Sequence, residues 1–198
     1  MPIRSLPRIF VFLAGLLSYS HTSRRQKALS RQRQAAAFRR AVYDVLFEGQ
    51  WLWGAAYRPP PTPLATGLSW TTVQEPADLI RWEAAWNGVP ADDPSTLPPR
   101  TFLPALLSDP DIRFIAGYAD RQIVAGAIAN RTGDVVGVSN VFFPEADAAH
   151  YWARSLAPII APFPGLPLVG YERGNDLVIA QMQGFEVVGS LRVWGHSA

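Results

Sequence analysis

The residue types that usually carry chemistry are scarce in this chain. It has no cysteine, so thiol nucleophiles, thiolate metal sites and disulfides are excluded. The histidines stand at positions 21, 150 and 196, too scattered to imply a metal site. No phosphate-binding loop, dinucleotide fingerprint or Gly-x-Ser-x-Gly elbow appears. What remains is the placement of glycines and aromatic residues. Gly126 and Gly137 interrupt two apolar runs, and a missing side chain within a strand signals the close approach of a helix, a ligand or another backbone. Trp82 and Trp86 lie four residues apart, a spacing that suits a ligand platform and, more commonly, core packing.

The elements that must position such residues centre on Ile112 to Pro144. Short β-branched and aromatic runs alternate there with Asn, Asp and Gly. This predicts three consecutive antiparallel strands with turns at Asp120-Arg121 and at Asn130 to Gly133. Ile123, Val124 and Ile128, then Val135, Val136, Val138, Val141 and Phe142 occupy both alternating faces, so the sheet should be covered on both sides. Upstream, Ser69 to Val73 reads as a strand. Pro76 then opens a helix whose apolar face is Leu79, Trp82 and Trp86 and which Gly88 stops. Phe102 to Leu107 reads as a short helical turn. Downstream, Ala149, Trp152, Ala153, Leu156 and Ile160 follow a helical period, with Pro158 bending or ending it. Leu168 to Tyr171 predicts a strand. Asn175 to Gln183 predicts a helix with Asn175 as N-cap and Gly184 just beyond its end. Val187 to Trp194 predicts a closing strand. The order implies an α/β domain with a mixed, mostly antiparallel sheet in two layers or three.

Charge divides the chain. Of its 18 basic residues nine fall within residues 1–40, which hold no acid, so the remainder is net negative against 16 acidic side chains. The folded part is thus a poor partner for nucleic acid. Three sections are expected: a basic, partly helical segment over 1–45, a proline-rich connector over 46–68, and the domain proper over 69–198. Ile9 to Leu17 follows Arg4 and Arg8 and resembles the start of a secretory signal. It is too short to cross a bilayer, and a packed or frayed segment or a misplaced start is the commoner reading, so membrane contact is confined to residues 9–17 and a cytoplasmic protein is expected. Ser23 to Leu46 predicts a solvated helix that docks through Phe38, Val42, Val45 and Leu46. Residues 51–67, with four prolines, predict an irregular connector.

From Ser69 to Trp194, this order resembles the GCN5-related N-acetyltransferase (GNAT) family. The pieces that carry the likeness are SWTTVQEPADLIRWEAAW for the first strand and helix, IVAGAIANRTGDVVGVSNVF for the central hairpin, and the Gly184-Phe185 pair between the last helix and strand. The resemblance implies transfer of an acetyl or other acyl group from acyl-CoA to a small-molecule or protein amine. It also implies a sheet that splays between the strands at Val135 to Phe143 and Leu168 to Tyr171. Asn140, Val141 and Phe142 would then offer backbone and edge contacts to the pantetheine arm or the thioester.

Two departures from the family pattern bear on chemistry. Where the family has a glycine-rich loop whose amides cradle pyrophosphate, this chain reads PEADAAHYW. Pro144 lacks an amide hydrogen, and Glu145 and Asp147 bring negative charge to the place where phosphates would dock. Each carboxylate near a helix N-terminus opposes an anionic ligand by about 1 kcal/mol. Many members also place a tyrosine, as acid for the leaving thiolate, four residues before the Gly-Phe pair; that position is Ala180. The nearest ionisable substitutes are Tyr171, Glu172 and His150, with Glu172 alternatively a general base on the amine. Each has an ordinary structural reading beside the catalytic one: Glu172 paired with an arginine, His150 exposed on its helix, Tyr171 capping the core. The competing function is a catalytically inactive binding or regulatory module that kept the scaffold, its cleft filled by Phe142, Phe143 and Trp152.

Overall fold

The computed structural model describes residues 43–56, 67–90, 97, 99–144 and 148–196. In chain order these form β1 (Tyr43–Gly54), β2 (Ser69–Thr72), α1 (Pro76–Trp86), a 3-10 turn (Pro104–Ser108), β3 (Ile112–Ala119), β4 (Gln122–Thr132), β5 (Val135–Phe142), α2 (Ala148–Ile160), β6 (Leu168–Glu172), α3 (Gly174–Met182) and β7 (Glu186–His196). The strands make one sheet in the order β2-β3-β4-β5-β6-β1-β7. The chain divides into two compact units, one of Gly49–Leu191 and one of Met1–Glu48 with Arg192–Ala198. In the latter, Arg192 is ion-paired with Glu48. No helix among the described residues is long and apolar enough to cross a membrane.

The central meander forms for the reasons its sequence suggests. Asp120 and Arg121 both take positive φ, 46° and 70°, the left-handed pair that a two-residue hairpin turn requires. The second turn is tighter than expected. Thr132 pairs with Val135, so β4 runs on through Asn130 and the turn is Gly133-Asp134 alone. Burial on both faces follows the alternation. Ile115, Ala127, Ala129, Val136 and Val138 pack under Trp152, Leu156, Ile159 and Ile160 of α2. Phe114, Ala116 and Ile128 face the other way, against Leu79 and Trp82 of α1. The architecture is therefore three-layered, helix on sheet on helix.

α1 is anchored by Trp82, which is fully buried and donates its indole N–H to the Ile115 carbonyl at 2.8 Å. Gly126 makes that approach possible. A Cβ there would lie 2.6 Å from both the indole nitrogen and the Phe142 ring, closer than real contacts allow. The next residue on α1, Glu83, is also buried. Its carboxylate accepts from Arg100 Nε at 2.6 Å and from the backbone N–H groups of Thr101 and Phe102. A buried carboxylate is tolerated when its lone pairs are filled in this way. Arg100→Met should cost about 2–3 kcal/mol, because one charge-assisted bond is lost while the carboxylate stays buried. Denaturant titration at neutral pH checks this.

Several expectations need correction. Residues 43–46 are strand, not the end of a helix, and residues 51–54 are strand, not irregular connector. Trp51, Leu52, Trp53 and Gly54 pair with β6, so the central sheet gains a strand from before residue 69. The four prolines that suggested irregularity stand at 59, 60, 61 and 63, after β1 has ended. α3 begins at Gly174, with Arg173 as N-cap and no side-chain cap bond, so Asn175 lies inside the first turn. α2 continues past Pro158 to Ile160. The readings of Ile9 to Leu17, of the helix upstream of Tyr43 and of the proline run fall outside the described residues.

Candidate functional site

β5 and β6 run parallel, yet they share only two register pairs, Val136 with Leu168 and Gly137 with Val169. The Val136 N–H donates to the Pro167 carbonyl at 2.9 Å at the closed end. At the next level Gly170 lets the Val138 carbonyl come within 3.2 Å of where its Cβ would be. No register pair follows, and the strands splay.

The cause lies in β5. Between Ile128–Ser139 and Gly126–Phe142 the register shifts, so two steps along β4 are matched by three along β5. This is a β-bulge, which bends the strand that carries it. Asn140 sits in it with φ of 52°, a left-handed conformation that asparagine tolerates better than most residues. β6, by contrast, is held straight on its other side by five consecutive pairs with β1, from Gln50–Glu172 to Gly54–Leu168. One strand bends and its neighbour does not.

Beyond Gly137, the edge of β5 that faces β6 has no ladder partner there among the described residues. Unpaired strand edges recruit other extended groups that can supply hydrogen bonds. Of the side chains here, Val141 packs against the α2-side core. Phe142 turns to the opposite core, its ring 5.3 Å from that of Trp82. The apolar side chains of Val141 and Phe142 are thus engaged in packing. The Asn140 amide donates to the Ser139 hydroxyl at 3.2 Å.

Tyr171 and Glu172 end β6 at the open side of the splay. Tyr171 is half-buried and lies opposite Trp51, with ring centroids 5.8 Å apart and planes at 80°. Burial, and then the charge of Glu172, raise its hydroxyl above the ordinary tyrosine value, so it stays protonated through neutral pH. Burial first, and Asp176 second, push the Glu172 carboxyl up to about 7. Two neighbouring groups therefore hold different proton states near neutrality, the arrangement from which acid and base roles are drawn.

His150 lies in the first turn of α2; its side chain is outside the described residues, as are Glu145 and Asp147 of the loop before it. Ala180 is fully buried in the α2-side core, so no proton donor exists at that place. Phe143 stacks on Tyr151 at 6.2 Å and Trp152 packs edge-on against Phe185 at 5.6 Å. Phe142, Phe143 and Trp152, the residues named above for a filled cleft, thus pack on Trp82, Tyr151 and Phe185. Sequence reasoning missed β1, which sets Gln50 and Trp51 directly beside Glu172 and Tyr171. The signal was present in Trp51-Leu52-Trp53 closed by Gly54, a short apolar run that suits a buried strand.

Comparison with known proteins bears on the fold. No protein-family profile and no curated protein matches the sequence. Solved structures do match. A GCN5-related N-acetyltransferase from Kribbella flavida aligns over 87% of this chain and 72% of its own, with TM-score 0.55 and 13% identity. GCN5-related N-acetyltransferases from Sphaerobacter thermophilus and Anabaena variabilis both give a TM-score of 0.51, at 9% and 11% identity. They cover 82% and 85% of this chain, which spans 55% and 47% of their lengths. The mostly antiparallel seven-stranded sheet flanked by helices agrees with these likenesses, and the chain has the fold of the GCN5-related N-acetyltransferases.

Proposed function

We propose that the protein is an acyl-CoA-dependent N-acyltransferase with an atypical active site at the β5–β6 splay. The observation that carries this reading is the short parallel pairing of the two strands, which leaves a backbone edge with no ladder partner among the described residues beside two ionisable side chains. That edge fits an extended, amide-bearing pantetheine arm, and Ser139, Asn140 and Val141 would hold it through their backbone. Bound acyl-CoA supplies an activated thioester. Glu172 takes a proton from the acceptor's ammonium group, as its position near neutrality suits it to do; such help is worth about 100- to 10,000-fold in rate. Tyr171 keeps its Oη proton at the same end of the strand. A cytoplasmic setting and an amine acceptor belong to the same proposal.

Calorimetric titration with acetyl-CoA tests it. Binding is expected to be weak, because Pro144 offers no amide where phosphates would dock. Absence of heat and of any thermal shift at millimolar ligand would remove CoA from the account. The second reading, an inactive module on the same scaffold, is favoured by one observation, the burial of Ala180 where a proton donor would stand. Binding of acetyl-CoA without turnover of any amine would select it.

A further inference from the structure

β1 brings Trp51 to the open end of the splay, beside Tyr171, and Trp53 beside Val169, two residues nearer the paired end. Strand alternation places Trp51 and Trp53 on one face of β1 and Leu52 on the other. Leu52 belongs to the α2-side core, whereas Trp51 and Trp53 belong to neither core. Their register partners are Tyr171 and Val169, and all four side chains are half-buried. Aromatic area is thus concentrated on the sheet face beside the end of β6. Among the described residues, the charged groups at that end of β6 are Glu172, the exposed Arg173 and, in the first turn of α3, Asp176. Acids outnumber bases there. An apolar wall with carboxylates at its rim suits an organic cation, since the face of an indole attracts ammonium groups more strongly than other aromatic rings do.

We propose that Trp51 and Trp53, with Tyr171, form the acceptor wall of the site and select a primary ammonium joined to an apolar body. The proposal rests on the transferase reading for its role in turnover, but the binding itself needs no CoA. The occupant is a small amine because the wall is continuous with the end of β6, where Glu172 and Asp176 supply the complementary charge. Trp51 and Trp53 act on selectivity, and Glu172 remains the proton acceptor.

Titration calorimetry on the full chain without CoA tests this with benzylamine, ethanolamine and benzyl alcohol. Benzylamine, with both charge and apolar body, is expected to bind about tenfold more tightly than either of the others. Trp51→Leu should remove about that factor and Trp51→Phe should restore most of it, because the ring face returns. Trp53→Leu is the second variant should Trp51→Leu not fold. Equal affinity for the three compounds, or benzylamine affinity unchanged in both leucine variants, would overturn the wall. No benzylamine binding at all, as when another part of the chain covers the tryptophans, overturns it too. The two readings separate cleanly. Acetyl-CoA binding without amine selectivity sinks the wall alone, and Trp51-dependent benzylamine binding without acetyl-CoA binding sinks the transferase alone.

Discussion

Trp82→Ala is expected to destabilise the protein by about 3–5 kcal/mol, the range for losing a buried tryptophan from a packed core. The indole is fully buried and meets four aromatic rings: Trp86, Phe102, Phe114 and Phe142 at 6.5, 5.7, 5.2 and 5.3 Å. Truncation forfeits that area and leaves the Ile115 carbonyl without its side-chain donor. Trp82→Phe should cost less, since part of the ring remains, but more than a surface change because the hydrogen bond is still lost. The effect should reach the splay. Phe142 packs on Trp82 and directly follows the bulge that bends β5, so a cavity there frees the bulge to relax. Urea unfolding, together with amide exchange at Ser139 to Phe142, reads both parts; a midpoint within experimental error of wild type would refute the anchoring role.

Glu172→Gln is expected to change stability and activity in opposite directions. The Glu172 carboxyl ordinarily titrates near 4.5 and is pushed up to about 7 in the folded chain. Between those values the folded chain binds more protons than the unfolded one, so stability falls as pH rises. The stability carried by the protonated form is fully present below 4.5 and is lost as pH climbs through about 7. The span amounts to about 3 kcal/mol. Glutamine cannot ionise, so the variant should lack this slope and exceed wild type in stability at pH 8. On the proposed transferase reading, turnover runs the other way. A base must be deprotonated to accept a proton, so wild-type activity should rise through pH 7, while the variant falls by about 100-fold or more and loses that rise. Parallel stability profiles for the two proteins between pH 5 and 8 would show that no charge is buried at Glu172.

Most of the fold was legible from Ser69 onward because its elements are local and well punctuated. The Asp120-Arg121 turn, the stop at Gly88 and the alternating apolar faces of β4 and β5 each depend on neighbours in sequence. The splay was reached only through the family resemblance. Its cause, the extra residue at Asn140, leaves no periodic trace, because a bulge shows only when two strands are laid side by side. The perturbation of Glu172 was hidden for a similar reason. Its burial and its proximity to Asp176 arise from how β6 and α3 meet. β1 was lost to a competing signal. Val42, Val45 and Leu46 fall at helical spacing, and the prolines from Pro59 onward drew the preceding tryptophans into an apparent linker. Pairing with β6 overrides that local preference.

The position of β1 also sets the order of assembly. The slot that receives this strand is bounded by β6 and β7, both translated well after it. Gln50 must wait for Glu172, and Gly54 for Leu168. Closing so long a loop is entropically costly and slow compared with zipping the β3–β4–β5 meander. Until then the Trp51-Leu52-Trp53 run emerges from the ribosome ahead of the two strands that flank it, a window in which unassembled strands aggregate. The first strand among the described residues is thus among the last to be seated, and slow, concentration-sensitive renaturation is the expected result of this connectivity.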